Sequence, residues 1–182
     1  MLKDVAKRLV SSLAPQPIKQ KYRLLNDESV NVKGRTLYRI QALRDFRGVK
    51  AGELGGFVEN EYRLSHDGTC WIGGDACVFD TACVLSNAQI FDDARVFSNA
   101  QVSDDAQVFG DAKIFGDARI SGNAKVSGHA QISDNAEVWG NARVGGNAKI
   151  SGNAHIASSI TIAGNDCING YTRITTSFTT PA

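Results

Sequence analysis

No stretch of this chain approaches the roughly 18 consecutive apolar residues of a membrane-spanning helix, so no membrane span is expected. Its four cysteines, Cys70, Cys77, Cys83 and Cys167, fall in neither a CxxC metal spacing nor a disulfide framework. The first residues lack the apolar core and cleavage site of a secretory signal. Together these absences predict a reducing, cytoplasmic compartment. Histidine is scarce, at three residues, so a general base has few candidates. Scarcer still is irregularity: between Ile72 and Ile174 nothing interrupts the pattern for long enough to build a catalytic loop.

What the chain does have is a beat of six. Every sixth residue from Ile72 to Ile174 is valine or isoleucine, eighteen in succession. Two residues ahead of most of them sits an alanine, fourteen in succession from Ala76 to Ala154. A short fixed period sustained this long predicts a solenoid, whose repeats bury their apolar faces by stacking on their neighbours. The unit reads (Val/Ile)-x-(Gly/Asp/Ser)-(Asn/Asp)-Ala-x. In an extended segment, alanine and the next aliphatic residue point the same way and the residue between them points out. From Gln89 to His155 those intervening residues are all polar, as the outward assignment requires. The Gly-Asn, Gly-Asp, Asp-Asp and Ser-Asn pairs supply residues that tolerate the left-handed backbone of a corner.

The ends depart from the beat. Residues 1–13 place Leu2, Val5, Leu9 and Leu13 at helical spacing opposite Lys3, Lys7 and Arg8, which predicts an amphipathic helix. Pro15 and Pro17 stop it, so 1–20 reads as helix and linker. Residues 21–57 change to short extended pieces, Tyr22–Leu25, Val30–Val32 and Thr36–Ile40, the last two joined by a turn at Lys33-Gly34-Arg35. This segment reads as a β cap over the first open edge of the solenoid. The repeat domain spans 58–174, with the step stretched to eight residues between Leu64 and Ile72, and 175–182 forms a tail that closes the far end.

The run of hexapeptides resembles the repeat of left-handed parallel β-helices, which implies triangular coils of three hexapeptides. At eighteen residues per coil, the eighteen aliphatic positions make six coils rising roughly 29 Å. The N-terminal residues Lys21-Tyr22-Arg23-Leu24, Ala42 to Phe46, Val49-Lys50-Ala51-Gly52, Leu54-Gly55-Gly56-Phe57-Val58 and Cys70-Trp71-Ile72 resemble YdcK-like hexapeptide-repeat proteins, including phage and prophage members. Related scaffolds include hexapeptide acyltransferases, so the resemblance also implies, as an alternative, an acyl-CoA-dependent enzyme with a site between subunits.

Several positions are candidates for function. A histidine base is the expected acyltransferase signature, and His66, in the irregular entry segment, and His129 are the positions for it. Stacking at eighteen residues aligns Asp75, Asp93, Asp111 and His129, a column that would attract a cation or form an exposed corner ladder. The residue after each aliphatic position is more telling: Phe79, Phe97 and Phe115 share one column, Phe91 and Phe109 another, and Trp139 lies further along. These aromatic stripes, with Leu2, Val5 and Leu9, point to an interface for a dimer, a trimer or a host protein, or to intramolecular cover by the cap.

Charge narrows the partner class. Residues 1–69 carry 13 Lys+Arg against 8 Asp+Glu, while 70–182 carry 7 against 11. No nucleic-acid-binding motif accompanies the basic N-terminal part, so nucleic acid is not the expected partner. The reading is a non-catalytic β-helical binding and assembly protein of a bacterial cytoplasm, with no cofactor.

Overall fold

The computed structural model describes residues 20–175. Among them there is no α-helix, and one 3-10 turn, Glu61–Arg63, interrupts the strand order. The segment 1–13, with Leu2, Val5 and Leu9, lies outside the described residues, as does the tail from 176.

Each hexapeptide forms one two-residue strand, made of the outward polar residue and its inward aliphatic neighbour, such as Arg95–Val96 and Lys113–Ile114. Successive strands fall on three sheets in turn, so each pairs in parallel with the strand eighteen residues on: Gln107 with Lys125, Lys113 with Gln131, Arg119 with Glu137. The product is a parallel β-solenoid of about 7 turns, built on one nine-stranded and two six-stranded sheets. Its three faces are named here by the strands Trp71–Ile72, Cys77–Val78 and Cys83–Val84. A typical repeat sends three N–H groups to carbonyls one coil ahead: Cys83 to Ala100 at 3.0 Å, Leu85 to Val102 at 3.0 Å and Asn87 to Asp104 at 2.9 Å.

The inward assignment holds from Ala76 to Ile156: all fourteen alanines from Ala76 to Ala154 are fully buried, as are Val78, Ile90, Ile114 and Ile132, whereas Ile168 and Ile174 in the last coil are partly exposed. Corners use the left-handed backbone, with φ of 59° at Asp80, 58° at Ser98 and 70° at Gly116 in a single column. Where aspartate takes this place, its carboxylate accepts the N–H of the residue stacked on it. Ser98 donates to Asp80 at 3.0 Å, while Gly110, Gly122 and Gly152 donate to Asp92, Asp104 and Asp134, each at 2.9 Å. The following position forms amide ladders, Asn123 to Asn141 at 3.2 Å and Asn147 to Asn165 at 3.0 Å.

The cap is part of the sheet as well as a cover. Strand β1 (Tyr22–Val32) runs continuously through two of the expected pieces because a bulge between Leu25 and Ser29 absorbs the polar Asn26-Asp27-Glu28. It pairs antiparallel with β2 (Arg35–Ala42), and β2 pairs antiparallel with β3 (Leu54–Val58). Strand β3 then pairs in parallel with Cys77–Val78, so it converts a meander into a solenoid. Gly55 and Gly56 are required at this junction: a Cβ on Gly55 would lie 2.5 Å from the Ile72 carbonyl oxygen, and one on Gly56 2.4 Å from that of Ala76. The stretched first coil closes because Thr69 and Cys70 both donate to the Ser86 carbonyl at 2.9 Å.

Two substitutions test this account. Ala118→Leu should overpack a filled corner, cost about 1–3 kcal/mol and lower the melting midpoint, whereas an unchanged midpoint would reject the inward packing. At Asp104, alanine should be worse than glycine: both lose the acceptor for Gly122, but only alanine keeps a Cβ at a φ of 57°, a strain of roughly 1–2 kcal/mol. Denaturant melts of the two variants give the order directly.

Candidate functional site

The aromatic columns form as stacked rings. Phe79 and Phe97 lie 5.1 Å apart with planes 4° from parallel, and Phe97 and Phe115 repeat the arrangement at 5.1 Å and 5°. The strict eighteen-residue register causes this, since equivalent side chains on successive coils share one rotamer and one direction. The column is not uniformly exposed. Phe79 is 1% accessible, covered by Leu37 and Phe57 with Val30 and Val32 packed alongside, so the hairpin removes it from the surface stripe. Lys33, at the hairpin turn, sets its ammonium 4.5 Å from the Phe97 ring centre. Phe97 and Phe115 remain half-buried, and the column ends at Ser133. Intramolecular cover therefore takes the first ring and leaves the later ones accessible.

Along the other corner, Phe91 is half-buried over Gly73, where a Cβ would come within 2.8 Å of the ring. Phe109 follows it one coil on and is also half-buried, while Trp139, at the third corner, is 42% exposed. None of these three touches the cap by a ring–ring contact among the described residues.

His66 lies in the extra residues of the first coil. Its ring stacks on Tyr22 at 4.5 Å, and its Nδ1 accepts the Lys21 N–H at 3.2 Å. Burial, then the nearby Lys21 charge, hold its pKa below the ordinary value. The group is thus engaged in closing the end of the rod. Tyr22 anchors the same end by donating its hydroxyl to the Leu64 and Glu61 carbonyls at 2.8 and 2.7 Å.

Beside it lies a feature that periodicity does not announce: Lys21 is fully buried, with Nζ 3.2 Å from the Cys70 sulfur and 5.4 Å from the Phe46 ring centre. Burial lowers the Lys21 pKa and raises that of the Cys70 thiol. Cys70 occupies an inward alanine place, so the lysine stem plugs the core where the coils begin.

The corner column Asp75, Asp93, Asp111 and His129 is a surface ladder interleaved with cations. Arg39 reaches Asp75 at 3.2 Å, and His129 Nδ1 lies 3.2 Å from Asp111. Arg95 and Lys113 line the same shallow groove as Asp93 and Asp111. Among the described residues, no group of three His, Cys, Asp or Glu side chains is placed to hold a metal ion. His155, on the Cys83 face, bonds Glu137 at 3.0 Å. Cys77 points outward from the coil yet is buried beneath the hairpin, which sequence spacing alone does not show.

With this geometry in place, the chain is defined as a β-solenoid repeat protein. A family model described as YdcK beta solenoid repeat matches residues 88–104 and 130–146, which supports a YdcK-like solenoid. No curated protein matches the chain.

The His66 environment predicts a pH dependence. A folded pKa below the unfolded value of about 6.5 means the unfolded chain takes up the proton first. The stability this gives is full above pH ~6.5 and falls as the pH drops through the folded value. His66→Phe, which keeps the ring on Tyr22, should flatten the loss of unfolding free energy between about pH 6.5 and 5. An unchanged slope in urea melts would reject the assignment.

Proposed function

We propose that the chain is a non-catalytic binding and assembly protein of phage or prophage origin. In this reading it is a left-handed β-helix with triangular coils that acts in the cytoplasm of a bacterial host. It self-associates as a dimer or trimer through its aromatic columns and segment 1–13, and it engages a host protein such as a defence factor. The observation that carries the reading is the Phe97–Phe115 stack, half-buried and only edged by the cap, which reaches Phe97 through Lys33. Aligned rings on a rigid ladder present a large amphipathic contact area at little cost in side-chain entropy, which is the composition of interface cores. Each ring is exposed in part because its neighbours in the column are one coil away, and a partner would cover the remaining edges.

The repeat carries no excursion from the ladder between Ile72 and Ile174 that would wall a reaction site. That regularity suits a rigid presenting surface.

Phe115→Ser tests the proposal, because serine already stands in this column at Ser133 and Ser151, and the fold should accept it. Analytical ultracentrifugation should show the wild type as an oligomer and the variant shifted towards monomer with its melting midpoint nearly kept. A monomeric wild type, or an unshifted variant, would reject assembly through this column. The acyltransferase alternative makes a separate claim: acetyl-coenzyme A at 100 times its Kd would stabilise the protein by roughly 2.7 kcal/mol. No saturable shift in melting is expected.

A further inference from the structure

The Trp71 face sets two adjacent cations between corners that hold no acid. Its outward column runs Trp71, Gln89, Gln107, Lys125, Arg143 and Thr161, without a carboxylate. Lys125 and Arg143 are direct partners in the parallel ladder, so two like charges stand side by side, an arrangement that costs stability. On the Cys83 face Arg119 meets Glu137 at 3.4 Å, and on the Cys77 face Arg95 and Lys113, laddered in the same way, border the corner carboxylates Asp93 and Asp111. The corners flanking Lys125 and Arg143 are Gly122-Asn123, Gly140-Asn141, Gly128-His129 and Gly146-Asn147, again without acid. Among the described residues, neither cation is in an ion pair.

A groove of about 310 Å³ runs beside this pair. It follows from the sequence of one corner column, where Phe109 is succeeded by Ser127, Gly145 and Ala163 and the surface steps down by the height of a ring. Phe109 forms the upper wall, Lys125 and Arg143 the charged side, and the Ser127 hydroxyl a further donor.

We propose that this groove binds a phosphomonoester carrying a flat apolar group, independently of how the Phe97–Phe115 column is used. A phosphate of roughly −1.5 to −2 charge at neutral pH matches two adjacent cations. The arginine fork suits its paired oxygens, and the lysine adds a compact charge. The apolar group lies against Phe109, over the small residues below it.

Calorimetric titration of the full chain at low ionic strength with phenyl phosphate tests the site, with inorganic phosphate as a second arm. Saturable one-site binding of phenyl phosphate is expected, tighter than that of inorganic phosphate. The Lys125→Gln/Arg143→Gln double variant should keep its melting midpoint, since Gln89 and Gln107 hold the same position in earlier coils. It should lose at least about tenfold in affinity, the worth of a charge-assisted hydrogen bond. Phe109→Ser should weaken phenyl phosphate and leave inorganic phosphate unchanged. The proposal is overturned by the absence of saturable binding, by undiminished binding to the double variant, or by equal affinity for the two phosphates, which would exclude an organic ligand.

Discussion

Everything in this molecule depends on the backbone ladder between consecutive coils. Two residues of strand per hexapeptide would be negligible in isolation, yet a typical repeat donates three N–H groups to the coil ahead and receives the equivalent bonds from the coil behind. The ladder fixes the offset at eighteen residues, and the offset fixes which side chains become neighbours. Ring stacks, amide ladders and the like-charged pair on the Trp71 face are all consequences of that one number. A buried alanine at every repeat lets the coil turn close to the axis, where a larger side chain has no room.

The corners show how the ladder's own deficit is met. A left-handed corner residue aims its N–H out of the ladder, and such donors need partners or water. Aspartate at the corner above supplies one, as in Asp92 to Gly110 and Asp134 to Gly152. The pairing explains why aspartate can stand at a position where glycine would be the least strained choice: a side chain that costs some backbone strain returns a hydrogen bond to the next coil. Where glycine stands above glycine, as at Gly110, Gly128 and Gly146, the backbones approach so closely that a Cβ would meet the next coil at about 3 Å.

How much was legible before the structure follows from the same offset. Period six gave the inward and outward sets, and once coils of eighteen were assumed, the columns Phe79–Phe97–Phe115 and Asp93–Asp111–His129 could be written down residue by residue. The cap could not be read this way, because its contacts join positions far apart with no repeat to relate them. Val30 and Val32 alternate as an apolar face, but nothing in their spacing says that they lie beside Phe79, and the burial of Phe79 and Cys77 follows from that packing alone. Lys21 is the sharpest case. A lysine among Lys19, Arg23 and other basic residues reads as surface, and only the closure of the first coil around Cys70 makes it core.

The cap also bears on why the two ends of the rod differ. Strand β3 must be antiparallel to β2 and parallel to the first coil, and Gly55 and Gly56 permit that contact by yielding their side-chain space to Ile72 and Ala76. Such a junction consumes the outward face it covers: Phe57 lies under the Arg39 guanidinium at 4.2 Å, and Phe79 is lost to solvent. Coils beyond the hairpin's reach keep their outward columns, and since the core is the same in each, a substitution there changes surface without changing fold. Variation in this architecture is therefore carried by the residue after each aliphatic position and by the polar residue before it. From Gln89 to Arg143 on the Trp71 face those two positions change from aromatic to small and from glutamine to cation, while the buried alanine and aliphatic residues stay constant.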